Sequence, residues 1–178
     1  MRIISGHWRG RAIIAPPGET TRPTSDRARE AIFSMLTSRL GSFEGLDVLD
    51  VFAGTGALGL EALSRGAAQA CFIDNDAAAV RAIKANLAGM KYNADVRQSP
   101  VASLGAAARA HHVVFLDPPY GSSLADPALA HLQEKGWIAP AALVSVETAA
   151  NETLAVDWEL LVDRRFGKAR VRLLRAPT

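Results

Sequence analysis

Asp117-Pro118-Pro119-Tyr120 is where the types and spacing of side chains in this sequence point most directly to a chemistry. The block follows His112-Val113-Val114-Phe115-Leu116, an apolar run that reads as a buried strand. A carboxylate, two prolines and an aromatic ring therefore emerge at a strand's carboxyl end, where open α/β sheets bind their ligands. Proline has no backbone N–H, so positions 118 and 119 offer a ligand only carbonyl acceptors, and Asp117 adds a charged one. The residue before each proline is pushed toward extended conformations, which stiffens the loop before anything binds. A rigid set of acceptors suits a planar group rich in N–H donors, such as the exocyclic amine of a nucleobase, and Tyr120 supplies a flat face for stacking. On these four residues alone, a Pro-Pro turn that merely ends a strand remains an open alternative.

Upstream, residues 45–63 read as strand, glycine loop and helix. Gly54, Gly56 and Gly59 fit the G-x-G-x-x-G spacing, and Asp74 closes the run Ala70-Cys71-Phe72-Ile73. This is formally the dinucleotide-binding pattern, with an acid placed for ribose hydroxyls, and taken literally it predicts a nicotinamide oxidoreductase. Asp50 opposes that. It stands at the strand's carboxyl end just before the glycine loop, where a pyrophosphate held by a helix N-terminus would meet a carboxylate. A cofactor bearing an ammonium and a sulfonium would be attracted instead. S-adenosylmethionine is such a cofactor: it keeps an adenosine for Asp74 and carries no phosphate.

Together, Asp50-Val51-Phe52-Ala53-Gly54-Thr55-Gly56 and Asp117-Pro118-Pro119-Tyr120 resemble the motifs of amino-group methyltransferases dependent on S-adenosylmethionine. Arg2-Ile3-Ile4-Ser5-Gly6-His7-Trp8-Arg9-Gly10-Arg11 and Arg22-Pro23-Thr24-Ser25-Asp26-Arg27-Ala28-Arg29-Glu30 narrow the resemblance to the bacterial 16S ribosomal RNA guanine-N2 methyltransferases of the RsmD family. The stretch Gly56-Ala57-Leu58-Gly59-Leu60-Glu61-Ala62-Leu63-Ser64-Arg65 is similar to that family almost letter for letter, and the likeness weakens only toward the carboxyl end.

The resemblance implies an α/β, Rossmann-like class I methyltransferase fold: a mostly parallel seven-stranded sheet with an antiparallel C-terminal strand, plus a small N-terminal β-hairpin and helix. Residues 1–178 would form one methyltransferase domain, with 1–24 as an RNA-contacting hairpin extension. The implied activity is transfer of a methyl group from S-adenosyl-L-methionine to the N2 amine of a guanine in 16S ribosomal RNA, within the small ribosomal subunit. Catalysis would rest on Asp117, Pro118, Pro119 and Tyr120, and cofactor binding on Asp50, Gly54, Thr55, Gly56, Asp74, Asn75, Ser99 and Asp117. RNA contact would fall to Arg2, His7, Trp8, Arg9, Arg11 and Arg22, and residues 22–30 would close over the methionine end of the cofactor. No metal is implied, and a monomer is expected. One departure is Gln98-Ser99-Pro100-Val101, where many relatives have Asp or Asn for the adenine amine; the contact then passes to Ser99 or the Val101 N–H. Guanine presents adjacent N1–H and N2–H donors that a carboxylate accepts together, but related adenine enzymes use the same Asp. A DNA-adenine or protein-glutamine methyltransferase therefore stays open, as does a non-catalytic RNA-binding protein, although intact motifs at 50–56 and 117–120 argue against decay.

Composition sets the frame for these residues. A chain of 178 residues with 49% hydrophobic content fits one domain with a substantial core. No run is long enough to span a membrane, no apolar signal-peptide core opens the chain, and Cys71 is the only cysteine. A cytoplasmic protein with an inert core thiol is expected. The net charge of +2 hides an uneven distribution: residues 1–29 carry +4, residues 163–178 carry +5, and residues 30–162 carry −7. Basic ends on an acidic body suggest a phosphate-facing surface if the termini converge, with Arg170 and Arg172 joining the N-terminal arginines. His111-His112 is not a metal motif, since neighbours on a strand face opposite ways and nothing completes a site.

The elements that must position these groups follow from periodicity. Residues 2–6 and 11–14 pattern as a hairpin closed by Pro16-Pro17-Gly18. A helix opens near Asp26, capped by Ser25 or Asp26. Strands are expected at 46–51, 70–74, 94–98, 112–116 and 142–147, with helices at 57–65, 77–88, about 102–109 and 124–135. An antiparallel pair at 158–165 and 169–175, turning at Gly167, closes the chain.

Overall fold

Strands and helices alternate along most of the chain, and alternation of this kind builds parallel sheets because each crossover helix returns the chain to the end of the sheet where the previous strand began. The computed structural model describes residues 1–17 and 26–178. Its elements are α1 (Asp26–Leu40), β1 (Asp47–Val51), α2 (Ala57–Ser64), β2 (Gln69–Asp74), α3 (Ala77–Gly89), β3 (Asp95–Gln98), β4 (His111–Leu116), α4 (Ala125–Glu134), β5 (Ile138–Ala149), β6 (Glu159–Phe166) and β7 (Ala169–Arg175). The strand order is β3-β2-β1-β4-β5-β7-β6, and β7 runs antiparallel to both of its neighbours. This is the sheet expected from the sequence. The chain builds outward from β1 through β2 to β3, then crosses to β4 on the other side of β1, so the winding reverses between β1 and β4. Ligand crevices open at such a switch point.

Side chains alternate across the strands, giving two cores. Val48, Phe72, Val113, Phe115 and Leu173 pack under α1, α2 and α3 together with Ile3 and Ile13 of the hairpin. Leu49, Val51, Ile73, Val114 and Val146 pack against α4 and Trp137 on the opposite face. Asp50 shares the parity of Val48 and so sits beneath α2. Gly59 explains how close that helix comes: a Cβ there would lie 2.4 Å from the Phe72 ring.

The hairpin arms pair through Ile3 N–H to the Arg11 carbonyl (2.9 Å) and Ile13 N–H to the Met1 carbonyl (2.9 Å), with a bridge at Arg2 and Ala12. Its closing Gly18 and the cap candidate Ser25 lie outside the described residues. The helix expected near 102–109 is reduced to a 3-10 turn, Val101–Ser103. Leu104 turns into an extended conformation, and the groups that follow bond to the end of α4 instead of to one another. Trp137 Nε1 donates to the Gly105 carbonyl (3.0 Å), and Ala107 N–H donates to that of Lys135 (2.8 Å). An alanine-rich run has helix propensity but little apolar surface to bury, and tertiary partners override it. His111 is buried, stacked on Trp137 and bonded to its carbonyl, whereas exposed His112 accepts from Asp47 N–H. Burial pushes the Cys71 thiol up to about 12, consistent with an inert core thiol.

Candidate active site

Four loops leave the carboxyl ends of β3, β2, β1 and β4 side by side, and every sequence-predicted cofactor and catalytic residue lies on or beside one of them. Val51 stands opposite Leu116 in the β1–β4 register, and Asp117 N–H donates to the Val51 carbonyl (3.4 Å). Ser99 N–H donates to the Asp74 carbonyl (3.0 Å), and Ala53 N–H to that of Ile73 (3.1 Å). The loops are thus laced together by backbone bonds at the switch point.

Within the loop after β1, Gly54 has φ 58°, and nothing lies within 4 Å of where its Cβ would point. A left-handed glycine facing open space lets a ligand approach the backbone closely. Gly56 differs: with φ 79°, its added Cβ would press on Ile83 at 3.2 Å, so it serves the turn into α2. Phe52 also adopts φ 57°, a conformation that costs a side-chain-bearing residue about 1–2 kcal/mol. Strain of this kind collects at functional loops. Thr55 Oγ accepts from Ala57 N–H (3.3 Å).

Asp74 organises this loop from β2. One carboxylate oxygen accepts from Gly54 N–H (2.9 Å) and the other from Asp76 N–H (2.9 Å), with Asn75 exposed between them. Asp50 is 2% exposed, and its carboxylate accepts from Gly59 N–H in the first turn of α2 (2.9 Å). It therefore caps the helix as well as backing the loop. Burial pushes its carboxyl up to about 8; the Gly59 bond opposes the rise and the field of Asp74 adds to it. A buried acid with no ion pair among the described residues fits a ligand that brings its own positive charge, and it disfavours a pyrophosphate.

In the loop after β4, Asp117 is half-buried, Pro118 buried, Pro119 exposed and Tyr120 half-buried. Ser122 donates to the Pro119 carbonyl through its hydroxyl (2.6 Å) and its N–H (3.3 Å). That carbonyl is already engaged within its own loop. In the loop after β3, the Ser99 hydroxyl is likewise committed to the Pro100 carbonyl (2.9 Å).

The structure places Arg2, His7, Arg9 and Arg11 on the exposed hairpin and Trp8 half-buried, edge-on to Tyr92 with centroids 5.5 Å apart. Arg22 lies outside the described residues. Arg2 donates to the Gly10 carbonyl (2.7 Å) and Arg11 to that of Gly89 (2.8 Å). Arg172 corrects an expectation: it is 5% exposed and donates to Thr148 Oγ (3.2 Å) and the Glu152 carbonyl (2.6 Å). A buried guanidinium committed to β5 and the residues after it does not meet a phosphate.

Sequence reasoning passed over the groups that seat the hairpin. Glu61 accepts from Ile4 N–H (2.9 Å) and Ser5 N–H (3.0 Å), and Ser64 Oγ accepts from Trp8 N–H (3.0 Å). Asn86 exchanges hydrogen bonds with Ile14 and donates to the Thr55 carbonyl of the glycine loop (3.0 Å). All three are buried. Their signal in the sequence is a polar residue in the apolar phase of a helix. Gly6 marks the same contact, since its Cβ would fall 1.9 Å from the Ser64 carbonyl oxygen. A cavity of about 510 Å³ at the amino ends of β2, β3 and β4, lined by Cys71, Asp95, Arg97 and Trp137 among others, lies at the opposite end of the sheet and takes no part in this site. Among the described residues no cluster of ligating side chains could hold a metal ion, and no helix is long and apolar enough to cross a membrane.

Comparison with known proteins agrees with this arrangement. The model of the family described as conserved hypothetical protein 95 matches residues 1–175. The chain is 39% identical to ribosomal RNA small subunit methyltransferase D of Escherichia coli, over 97% of this chain and 88% of that protein. A solved structure of yhhF from Escherichia coli, also 39% identical, superposes with a TM-score of 0.86 over 100% of this chain and 98% of that one. At 16% identity, magnesium protoporphyrin IX methyltransferase from Synechocystis, solved with bound SAM, gives a TM-score of 0.66 over 84% of this chain and 78% of that one. The shared architecture is the class I methyltransferase fold. The chain belongs to the conserved hypothetical protein 95 family, the RsmD family of the ribosomal RNA small subunit methyltransferases D.

Proposed function

We propose that this chain transfers a methyl group from S-adenosylmethionine to the N2 amine of a guanine in 16S ribosomal RNA. The observation that carries the proposal is the register of β1 against β4, which sets Asp117-Pro118-Pro119-Tyr120 directly beside the glycine loop. Family membership supplies the substrate class, since the relatives are named for ribosomal RNA of the small subunit.

When bound, S-adenosylmethionine supplies an electrophilic methyl group on a sulfonium. Asp74 and the backbone of Gly54 would hold its adenosine, and Asp50 lies buried behind the loop. An exocyclic guanine amine is a poor nucleophile because its lone pair is delocalised into the ring. Asp117 and the Pro118 carbonyl accept from its two N–H groups and favour the pyramidal geometry that frees the lone pair. Tyr120 stacks the base, a contact worth about 1–3 kcal/mol, once the base leaves its own stack. Catalysis is then mostly positioning. The methylated amine is acidic, and Asp117 is placed to take up its proton.

Labelled methyl transfer measured side by side on small-subunit particles, naked 16S RNA, DNA and protein tests this. Transfer to RNA, abolished by Asp117→Ala with cofactor affinity largely kept, is expected. Asp117→Asn should be milder, because its amide oxygen still accepts one bond. Transfer to DNA or protein alone would reassign the substrate, and RNA binding without transfer would make the chain a binding protein.

A further inference from the structure

Residues 30–162 carry a net charge of −7, yet α3 and its end carry none of the acid. Residues 77–91 hold Arg81, Lys84 and Lys91 and no Asp or Glu. All three are exposed, and none forms an ion pair among the described residues. Other basic groups of the same stretch are paired: Arg65 with Glu61, Arg97 with Asp95 and Arg109 with Asp47. Arg81, Lys84 and Ala88 recur at helical spacing on the outer side of α3, and exposed Ala85 and Gly89 lie among them. The face therefore offers positive charge on a low surface, with no large apolar anchor of the kind protein partners use.

This face is continuous with the hairpin. Arg11 donates to the Gly89 carbonyl (2.8 Å), Asn86 ties Ile14 to α3, and Trp8 packs on Tyr92 just past the helix. The other end of α3 begins next to Asp76, two residues beyond the cofactor acid Asp74. Over its length of roughly 20 Å, the helix links the hairpin to the catalytic end of the sheet. Exposed Arg9 on the hairpin is likewise without an ion pair among the described residues.

We infer that the outer face of α3, through Arg81, Lys84 and Lys91, is a phosphate-binding track that carries the RNA backbone between the hairpin and the catalytic loops. The inference rests on the RNA reading of the preceding section and adds a surface to it. The test uses the full chain with Arg81→Ala and Lys84→Ala together, exposed helix positions where alanine keeps the fold. Affinity for a short fluorescein-labelled RNA is measured by anisotropy against salt, alongside affinity for S-adenosylmethionine and the unfolding temperature. Each lost phosphate contact flattens the log–log salt slope by about 0.7–0.9, so a drop of about 1.4–1.8 is expected, with cofactor binding and unfolding unchanged. The charge-reversed pair Arg81→Glu and Lys84→Glu should weaken binding further. A native chain with a steep slope that both variants keep would overturn the α3 track and leave the RNA reading intact. A native chain that shows no salt-dependent RNA binding would remove that reading, and this inference with it.

Discussion

At the amino end, six arginines stand against Glu19 and Asp26; at the carboxyl end, six basic residues stand against Asp163. The fold treats these two ends differently. On β6 and β7, Arg170 closes a two-point pair with Asp163 (2.7 and 2.6 Å), Arg175 pairs with Glu159 (3.4 Å), and Arg172 is buried against Thr148 and Glu152. On the hairpin, Arg2 and Arg11 bond only to carbonyl oxygens and Arg9 has no ion pair among the described residues. Carbonyl bonds orient a guanidinium without cancelling its charge, so the described hairpin arginines keep their positive field for a partner. On the closing strands, Arg170 and Arg175 are matched by carboxylates and Arg172 is buried, whereas Arg164, Arg165 and Lys168 stay exposed with no ion pair among the described residues. Two buried acids differ in the same way in their partners. Glu61 is buried but paired with Arg65, whereas Asp50 is buried with no cation beside it among the described residues. A sequence charge count treats all of these alike.

The largest effect should come from Asp50. A carboxyl raised to about 8 is protonated in the folded chain and ionised in the unfolded chain between about pH 4 and 8. The folded state binds more protons in that window, so this group's contribution to stability falls as pH rises, by at most about 1.4 kcal/mol per unit. Asp50→Asn needs no proton and still accepts from Gly59, so its stability relative to the native chain should climb from pH 5 to pH 8. Parallel urea-unfolding curves across that range would show that Asp50 already has an internal partner. Next in size, Arg172→Ala should destabilise by about 1.5–3 kcal/mol through lost charge-assisted hydrogen bonds, read in the same unfolding experiment, while the salt slope for RNA stays put. A flattened slope would break the contrast between the two ends. The smallest effect is on the hairpin: Arg9→Ala with Arg11→Ala should leave unfolding nearly unchanged and flatten the RNA salt slope by about 0.7–0.9 per contact. An unchanged slope, with cofactor affinity also unchanged, would mean the hairpin is only a solvated face.

The alternation of apolar runs with helical stripes was enough to expect a mostly parallel sheet closed by an antiparallel strand, while the order of its strands came from the structure. The placement of Asp50, Gly54, Gly56, Asp74 and Asp117 at strand ends and in the glycine loop was legible because strand ends and glycine spacing are local properties. The helix near 102–109 misled because propensity is local while the satisfaction of Leu104, Gly105 and Ala107 comes from His131, Trp137 and Lys135, some 27 to 32 residues away. The clamps Glu61, Ser64 and Asn86 were missed for the same reason: each meets a partner at least 56 residues distant.

By itself, then, the sequence determined the fold class, the strand ends and glycine loop that carry the candidate site residues, and the lack of an N–H donor at Pro118 and Pro119. Those follow from periodicity, the missing proline N–H and the freedom of glycine. Only the tertiary structure decided which charges are spent. Whether Arg172 is buried on β7, whether Arg81 and Lys84 face outward unpaired, and whether Asp50 stands without a cation depend on which side chains the folded chain brings within hydrogen-bond reach. No local pattern encodes that distance.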